Sequence, residues 1–246
     1  MTELQIIDVQ LKRGQTTVFD GLNLHLSQQR IGVIGDNGAG KSSLFRMLCG
    51  LELPVAGEIQ IDGTPLLQAR QGKPGLVGLM FQNPDDQIIF PTVEEELALG
   101  LRPKGLNKQQ AKAAARELLA QRGLAHWAER AVSSLSQGQR QQVCWLSLLI
   151  AAPSVLLLDE PFASLDLPGQ ARLAQDIAAA PQQVLVSTHV LDHVRSFERV
   201  LWLEQGRIRG DGPGAEVCRA YEADVAARLS EITANAAGTQ GGALHG

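Results

Sequence analysis

Glycines, a lysine and a serine stand in the segment "GDNGAGKSS" at a spacing that suits phosphate binding. Gly35, Gly40, Lys41 and Ser42 fit the pattern G-x-x-x-x-G-K-[ST]. Glycines let several backbone N–H groups point at one anion, and the helix that follows adds the positive end of its dipole. Lys41 should then reach the β- and γ-phosphates, and Ser42 should ligate Mg²⁺. The segment predicts a nucleoside triphosphate site.

The sequence on either side of this segment supports that prediction. The apolar run "RIGVIG" precedes it as a buried strand, and "KSSLFRMLCG" follows it as a helix. An ordinary Gly-rich turn is disfavoured by such flanks, and a dinucleotide site is disfavoured because no G-x-G-x-x-G follows the strand. The expected cofactors are ATP and Mg²⁺. The expected ATP contacts are Gly35, Asp36, Asn37, Gly38, Ala39, Gly40, Lys41, Ser42 and Ser43.

A pair of carboxylates ends the apolar run in "VLLLDEP". Asp159, at the end of a buried strand, is placed to hold Mg²⁺ through water, and Glu160 is placed to polarise the attacking water. Alone, such a pair would more often be a plain strand end. Together with the phosphate-binding segment, it predicts the acidic half of an ATP-hydrolysing site.

The segment "LSQGQRQQ" predicts a second helix N-terminus that is open to phosphate. Ser136 is a suitable N-cap, Gln139 completes a capping box, and Gly138 leaves the helix end free of a side chain. One chain cannot easily direct two such helix ends at the same γ-phosphate from opposite sides, whereas two chains packed head-to-tail can. The pattern therefore predicts a dimer with the nucleotide between its subunits.

These motifs, in this order, resemble those of the ATP-binding cassette (ABC) ATPases over about residues 4–212. The family signature is Leu-Ser-Gly-Gly-Gln, and this chain departs from it at Gln137. The resemblance implies that the signature meets the nucleotide bound by the other subunit. Its residues here are Leu135, Ser136, Gln137, Gly138 and Gln139.

Two later motifs extend the resemblance. It implies that Ser164 and Asp166 of "SLD" lie in a loop that crosses the dimer interface, and that His189 of "STH" contacts the γ-phosphate. A lone histidine would more often be structural, since residues of intermediate burial commonly have no chemical role. The position of His189 directly after a strand, downstream of the other motifs, favours the functional role.

Gln82 begins a segment that narrows the resemblance. "FQNPDDQIIFPTVEEELALG" is similar to the sequence signature of the energy-coupling-factor group. The members of this group import vitamins and transition-metal ions, and include the biotin, cobalt and nickel systems. The resemblance implies that Gln82 senses Mg²⁺ and the attacking water. It then implies a catalytic set of Glu160, His189 and Gln82, and a Mg²⁺ set of Ser42, Gln82 and Asp159.

The same resemblance implies that residues 82–100 dock on an integral-membrane transmembrane component, in a complex with a substrate-binding membrane component. Thr92 is a fair N-cap, the acids at 94–96 favour the helix dipole, and Val93, Leu97 and Leu101 fall on one stripe. We therefore expect an acidic and apolar groove for a partner helix carrying arginine. The alternative is a capped helix with a solvated acidic face.

The position that usually stacks on adenine departs from the family pattern. Family members present an aromatic ring in the loop after the first strand, and Arg13 of "DVQLKRG" takes that place here. Because a guanidinium can stack on a base, one expectation is that Arg13 binds adenine with help from Phe19. A solvated arginine is the equal alternative.

The elements needed to position these residues indicate an α/β fold. "RIGVIG", "SVLLLDE", "QQVLVSTH" and "RVLWLEQGRI" are short apolar runs typical of strands covered on both faces of a parallel sheet. "TTVFDGLNLHLS" and "GEIQIDG" alternate, which indicates a smaller antiparallel sheet. The predicted fold is a P-loop NTPase (RecA-like) core with an antiparallel β subdomain and an inserted α-helical subdomain. The ABC ATPase domain is expected at 1–229, its helical subdomain at about 92–152, and a disordered tail at 230–246.

Composition and charge exclude several classes of protein. With 44% hydrophobic and 20% charged residues the chain is typical of a globular protein, and a net charge of −4 disfavours a nucleic-acid partner. The three cysteines lie far apart among apolar neighbours, as expected of free thiols in a reducing compartment. No secretion signal is visible, and Pro153 cuts the most apolar run. The predicted location is the cytoplasmic face of the cell inner membrane, with peripheral attachment.

The sequence thus predicts an ATP-hydrolysing subunit that energises uptake of biotin, cobalt or nickel through an energy-coupling-factor type membrane transporter. A homodimer, or a heterodimer with a paralogous ATPase, would close around two nucleotides. One alternative is a soluble ABC ATPase acting on nucleic acid or the ribosome, and another is the ATPase of an ordinary binding-protein-dependent importer. A regulator with a decayed site is disfavoured because Lys41, Asp159, Glu160 and His189 are intact.

Overall fold

The structure, a computed structural model, describes residues 2–73 and 75–240. Its strands are β1 (Leu4–Arg13), β2 (Thr16–Leu26), β3 (Arg30–Ile34), β4 (Ala56–Ile61), β5 (Thr64–Pro65), β6 (Val77–Met80), β7 (Val155–Asp159), β8 (Gln183–Ser187), β9 (Arg199–Glu204) and β10 (Arg207–Gly212). Its α-helices are α1 (Lys41–Leu48), α2 (Leu66–Gly72), α3 (Val93–Leu99), α4 (Lys108–Gln121), α5 (Gln137–Ala151), α6 (Leu167–Ala179) and α7 (Gly214–Gln240). Within the described ranges, no helix is both long enough and apolar enough to span a bilayer.

A six-stranded sheet in the order β10-β9-β3-β8-β7-β6 forms the centre of the molecule. Strands β9, β3, β8, β7 and β6 pair in parallel, so their carboxyl ends meet at one edge of the sheet. All residues of β3, β7 and β8 are buried, as expected for strands covered on both faces. The residues that follow β3, β7 and β8 therefore lie close together at this edge.

One predicted strand is wrong in extent. The run "RVLWLEQGRI" is not one continuous strand. It covers β9, a two-residue turn and the start of β10, which pair as an antiparallel hairpin. The turn uses Gln205 at φ 46° and Gly206 at φ 75°, the positive values that a two-residue hairpin turn requires. Antiparallel β10 therefore closes one side of an otherwise parallel sheet.

A second, antiparallel sheet in the order β2-β1-β4-β5 lies beside the first. Leu22, Leu24 and Leu26 of β2 are buried at alternate positions, in agreement with the predicted half-buried strand. Their cluster also contains Leu44 and Phe45 of α1, so α1 is held between the two sheets. The helix that follows the phosphate-binding segment is therefore fixed by a hydrophobic core.

A separate hydrophobic cluster holds α3, α4 and α5 together as a helical lobe inserted between β6 and β7. The cluster includes Val93 and Leu97 of α3, Ala115 and Leu119 of α4, and Val143 of α5. Two of these helices begin with the predicted capping boxes, Asn107 with Gln110 and Ser136 with Gln139. The architecture agrees with the predicted α/β core with antiparallel and helical parts.

Helix α7 runs along β9 and β10 and differs from the sequence prediction at its end. The disordered tail was expected from residue 230, but the structure continues α7 through Gln240. Its segment "SEITANAA" has good helix formers beside small residues, which explains why composition alone misplaced the helix end. Residues 241–246 of the predicted tail lie outside the described residues.

Candidate nucleotide-binding site

The loop between β3 and α1 requires glycine for two separate reasons. Gly35 has a φ of 141°, and a Cβ there would lie 2.1 Å from the Leu203 carbonyl oxygen. Gly40 has a φ of 110°, and a Cβ would press on the Phe19 ring at 3.1 Å. The loop is also held by a hydrogen bond from the Gly206 N–H to the Ala39 carbonyl, at 3.0 Å. Backbone N–H groups and a helix N-terminus are therefore presented together, the arrangement that binds phosphate.

Lys41 lies inside this loop and is 8% exposed. Its ammonium donates to the carbonyl oxygens of Gly35 at 2.7 Å and Asp36 at 3.1 Å. Burial lowers the pKa of Lys41, and the charges of Glu160 and Asp159 oppose that shift. A cation held at the phosphate-binding loop suits the role predicted from the sequence.

Asp159 ends β7 and is 8% exposed. The β7–β8 register places it opposite Ser187, whose hydroxyl donates to the Asp159 carboxylate. Ser187 was not predicted from the sequence, although its place at the end of the neighbouring strand could have suggested it. The contact fixes one carboxylate oxygen beside the phosphate-binding loop.

Glu160 and His189 form the predicted catalytic pair at the same edge. The Glu160 Oε2 atom lies 2.9 Å from His189 Nδ1, and the side chain of His189 is 64% exposed. Glu160 has a φ of 48°, and its N–H donates to the Ser187 carbonyl at 3.0 Å. The sheet thus holds a carboxylate in a left-handed backbone conformation at the edge where Asp159 and Lys41 lie.

A cleft with an empty volume of about 1520 Å³, including space open to solvent, joins these groups. The structure brings most of the predicted residues of one chain to this cleft, and adds Thr16 and Val18, which the sequence did not indicate. The lining residues are Arg13, Thr16, Val18, Asn37, Gly38, Gly40, Lys41, Ser42, Ser43, Gln82, Asp159, Glu160 and His189.

The cleft offers oxygen donors suited to Mg²⁺. Ser42 supplies a hydroxyl, Asp159 a carboxylate and Gln82 an amide oxygen, and all three line the same space. Hard oxygen ligands of these kinds, completed by phosphate and water, are those that Mg²⁺ prefers. The residues present therefore fit the ion predicted with ATP.

Arg13 lies at the mouth of the cleft, but its guanidinium is engaged elsewhere. Its Nε donates to Glu52 Oε2 at 3.1 Å and its Nη2 to the other carboxylate oxygen. Phe19 is 1% exposed and packs in the core, so the expectation that it helps to bind adenine is wrong. Stacking of Arg13 on adenine stays a prediction.

The structure places the signature segment outside this cleft. Ser136 and Gln137 are exposed at the N-terminus of α5, and Leu135 is buried beneath them. A Cβ on Gly138 would lie 2.9 Å from the Ser164 carbonyl, so the "SLD" loop packs against this helix end. The Ser136 hydroxyl accepts from the Gln139 N–H at 3.2 Å. One chain does not bring the signature and Lys41 to the same pocket.

Asp166 has a local structural role in addition to its predicted place at an interface. Its carboxylate accepts from the Gly169 N–H at 2.9 Å and caps α6. The next residue, Leu167, is 80% exposed. The loop therefore presents an apolar side chain beside a fixed helix start.

The apolar stripe of α3 was expected to face a docking groove, and that part of the prediction is wrong. Val93, Leu97 and Leu101 are buried in the protein, so their stripe faces the lobe's own interior. Glu94 binds Arg116 Nε at 2.6 Å and Lys112 at 2.9 Å. Glu94 is used internally because α4 supplies cations that the helix in isolation does not show.

The neighbouring acids have local partners as well. Glu95 binds Lys112 at 3.0 Å and accepts from the Thr92 hydroxyl at 2.9 Å. The Glu96 Oε2 atom accepts from the N–H groups of Ile89 at 2.9 Å and Phe90 at 2.8 Å. Glu96 therefore fixes the segment after Gln82 and does not offer a charge to a partner.

Comparison with known proteins decides the family. The family model described as "ABC transporter" matches residues 19–163, which include the phosphate-binding loop, the signature and the acidic pair. The chain belongs to the ABC transporter family. It is therefore an ABC-type ATPase, and the predicted resemblance and fold class are confirmed.

Relatives and a solved structure agree with this assignment. The chain is 47% identical to the biotin transport ATP-binding protein BioM of Rhodobacter capsulatus, over 90% of this chain and 94% of that protein. It is 37% identical to the energy-coupling factor transporter ATP-binding protein EcfA of Methanoculleus marisnigri, over 83% and 76% of the two chains. The structure of cbiO1 from Clostridium perfringens, part of the ABC transporter complex cbiONQ, matches with a TM-score of 0.74 and 26% identity, over 93% and 96% of the chains.

Proposed function

We propose that this ABC ATPase is the ATP-hydrolysing subunit of an energy-coupling-factor type importer and that the transported substrate is biotin. The supporting observation is the 47% identity to BioM of R. capsulatus over 94% of that protein. The subunit would lie at the cytoplasmic face of the membrane, attached to a transmembrane component that works with a substrate-binding membrane component. ATP binding and hydrolysis would then drive the transport cycle.

In the proposed reaction, the phosphate-binding loop and Lys41 hold the triphosphate. Glu160 orients the attacking water and takes up its proton, because a carboxylate beside the phosphate is suited to general base catalysis. His189 holds the Glu160 carboxylate through the 2.9 Å contact and faces the cleft with its exposed ring. Mg²⁺, held by Ser42, Gln82 and Asp159, would neutralise charge on the phosphates when bound.

A second ATPase chain, either an identical copy or a paralogue, would complete each site. The exposed helix end at Ser136 and Gln137 lies outside its own cleft, so it is free to meet a nucleotide held by another chain. Helix N-termini bind anions through their free N–H groups and dipole. Closing and opening of the two chains would be coupled to binding and hydrolysis of ATP.

The transmembrane component would dock at residues 82–100, though not through the acids of α3. Ile89 is 74% exposed in this segment, and Asp86 is exposed nearby. The Phe81 N–H donates to Gln87 Oε1 at 3.2 Å, and Gln82 lines the cleft, so a displacement of the partner would be passed along this segment to the cleft. The partner would therefore meet one exposed apolar side chain, Ile89, with the acidic side chain of Asp86 nearby.

Uptake measured in cells tests the proposed function. A strain lacking the gene is complemented with wild type, Glu160→Gln or the control Glu117→Gln on the exposed face of α4, and labelled biotin, cobalt and nickel are supplied. Wild type and the control should restore biotin uptake, and Glu160→Gln should not. Restoration of cobalt or nickel uptake alone would contradict biotin as substrate, and uptake of none of them would contradict the transport role.

A further inference from the structure

The second residue of the phosphate-binding loop is an acid, which is unfavourable for a site that binds an anion. Asp36 directly follows Gly35, and its side chain is 50% exposed. Its backbone carbonyl contacts the Lys41 ammonium at 3.1 Å. The charges of the Asp36 carboxylate and the Lys41 ammonium also interact, so a negative charge on Asp36 without a cationic partner would oppose the binding of phosphates at this loop.

Two side chains of α7 meet the Asp36 carboxylate. Tyr221 donates its hydroxyl to Oδ1 at 2.7 Å, and Arg228 donates from Nη1 to Oδ2 at 2.6 Å. Asp36 therefore has a neutral donor on one oxygen and a cation on the other. Charge-assisted hydrogen bonds of this kind are stronger than neutral ones and fix the group they bind.

The protonation states of Asp36 and Tyr221 favour these hydrogen bonds. The hydrogen bonds from Arg228 and Tyr221 lower the pKa of Asp36, so the carboxylate is ionised at neutral pH. Burial and the hydrogen bond to Asp36 raise the pKa of Tyr221 to about 12, so its hydroxyl remains a donor. The contact is an ion pair with one neutral hydrogen bond.

The donors are themselves held in place. Arg228 Nε lies 2.8 Å from Asp224 Oδ2, and Asp224 also binds Arg209 of β10. Tyr221 packs edge-on against Trp202 of β9, with ring centroids 5.3 Å apart. The packing of α7 on the β9–β10 hairpin therefore fixes the positions of Arg228 and Tyr221.

We propose that Arg228 and Tyr221 are positioning residues for ATP binding, which neutralise and hold Asp36 so that the loop accepts a triphosphate. The proposal rests on the nucleotide site described above and adds α7 to it. Without Arg228, the negative charge of Asp36 would lose its cationic partner, and its repulsion of the phosphates would weaken binding. The docking of α7 is thereby coupled to nucleotide affinity.

Direct ATP binding to the purified full chain tests the proposal. Arg228→Gln should raise the Kd for ATP about fivefold to tenfold, and the increase should shrink at high salt, because screening weakens the repulsion. Arg195→Gln is the matched control, since Arg195 pairs with Glu222 of the same helix and does not contact the loop. That control should bind ATP within about twofold of wild type. Wild-type affinity in Arg228→Gln would overturn the proposal.

A second substitution separates charge neutralisation from simple support of the helix. Asp36→Asn in the Arg228→Gln background removes the uncompensated charge and should return the Kd to within about twofold of wild type. If the double variant binds no better than Arg228→Gln, neutralisation is wrong. Lys41→Ala monitors the site itself: equal binding by Lys41→Ala and wild type would overturn the nucleotide site, and with it this proposal, whatever Arg228 does.

Discussion

Glu160 occupies a backbone conformation that most residues avoid. Its φ is 48°, and a non-glycine residue in this region costs about 1 to 3 kcal/mol. The hydrogen bond from its N–H to Ser187 and the contact of its carboxylate with His189 hold it there. The strained residue carries a carboxylate that lines the cleft, which supports a chemical role for Glu160.

Replacing this carboxylate with an amide should separate binding from hydrolysis. In Glu160→Gln we expect ATP to bind with near wild-type affinity and turnover to fall about 10²-fold to 10⁴-fold, because an amide cannot act as a base. The variant should also accumulate as a dimer in ATP, detectable by size-exclusion chromatography. Turnover close to wild type would show that another group activates the water.

Single residues could be predicted where they belong to a contiguous motif or, as with Gln82 and His189, where the family resemblance implies a role. The loop from Gly35 to Ser43 and the pair Asp159–Glu160 are contiguous motifs, so spacing was sufficient. Arg13 binds Glu52, 39 positions away, and Tyr221 binds Asp36, 185 positions away. No local pattern indicates either contact, because both depend on how the sheets and α7 are arranged.

The start of α3 shows how one helix gains its partners from another. The Glu94 side chain is 7% exposed and lies between Arg116 and Lys112 of α4. Burial raises the pKa of Glu94, but the hydrogen bonds from Arg116 and Lys112 outweigh burial and leave the pKa below its ordinary value. The pair of helices is therefore tied by a largely buried carboxylate with two cationic partners.

Glu94→Gln should destabilise the protein by about 1 to 3 kcal/mol, since it leaves the two cations without their buried partner. Because the folded-state pKa of Glu94 is depressed, its stabilisation is present above the ordinary carboxylate pKa and is lost as pH falls through the folded pKa. Urea unfolding at neutral and acidic pH should thus show a difference from wild type that narrows in acid. Glu117→Gln, on the exposed face of α4, is the control, and equal stability of both variants at neutral pH would contradict this role.

Helix starts were predictable where helix partners were not. The capping boxes at Asn107 and Ser136 use residues three positions apart, so they could be read from the sequence. The acids at 94–96 have the same sequence pattern whether they face solvent, a partner protein or α4. The packing of α3 on α4 selects the third possibility for Glu94 and Glu95, whereas Glu96 binds the backbone N–H groups of Ile89 and Phe90. Both outcomes depend on tertiary structure.

In the whole molecule, parallel strands bring the phosphate loop, the acidic pair and His189 to one edge, while the inserted lobe carries the signature elsewhere. The order of motifs was sufficient to predict the α/β core and the lobe. It could not give the hairpin at Gln205 or the full length of α7, since both apolar runs and small-residue tails are compatible with more than one structure. The separation of Ser136 from the cleft is the feature that makes a second chain necessary in the proposed mechanism.

Mixing two inactive variants tests that requirement most directly. Lys41→Ala lacks a working phosphate loop and Ser136→Arg lacks a working signature, so each alone should hydrolyse ATP at background rate. In a mixed dimer, one of the two sites combines the intact loop of one chain with the intact signature of the other. An equal mixture should therefore recover about a quarter of the wild-type rate, from half of the dimers with one of two sites active. Full activity of Ser136→Arg alone would contradict a nucleotide site shared between two chains, and the absence of recovery on mixing would contradict a site shared between two identical copies.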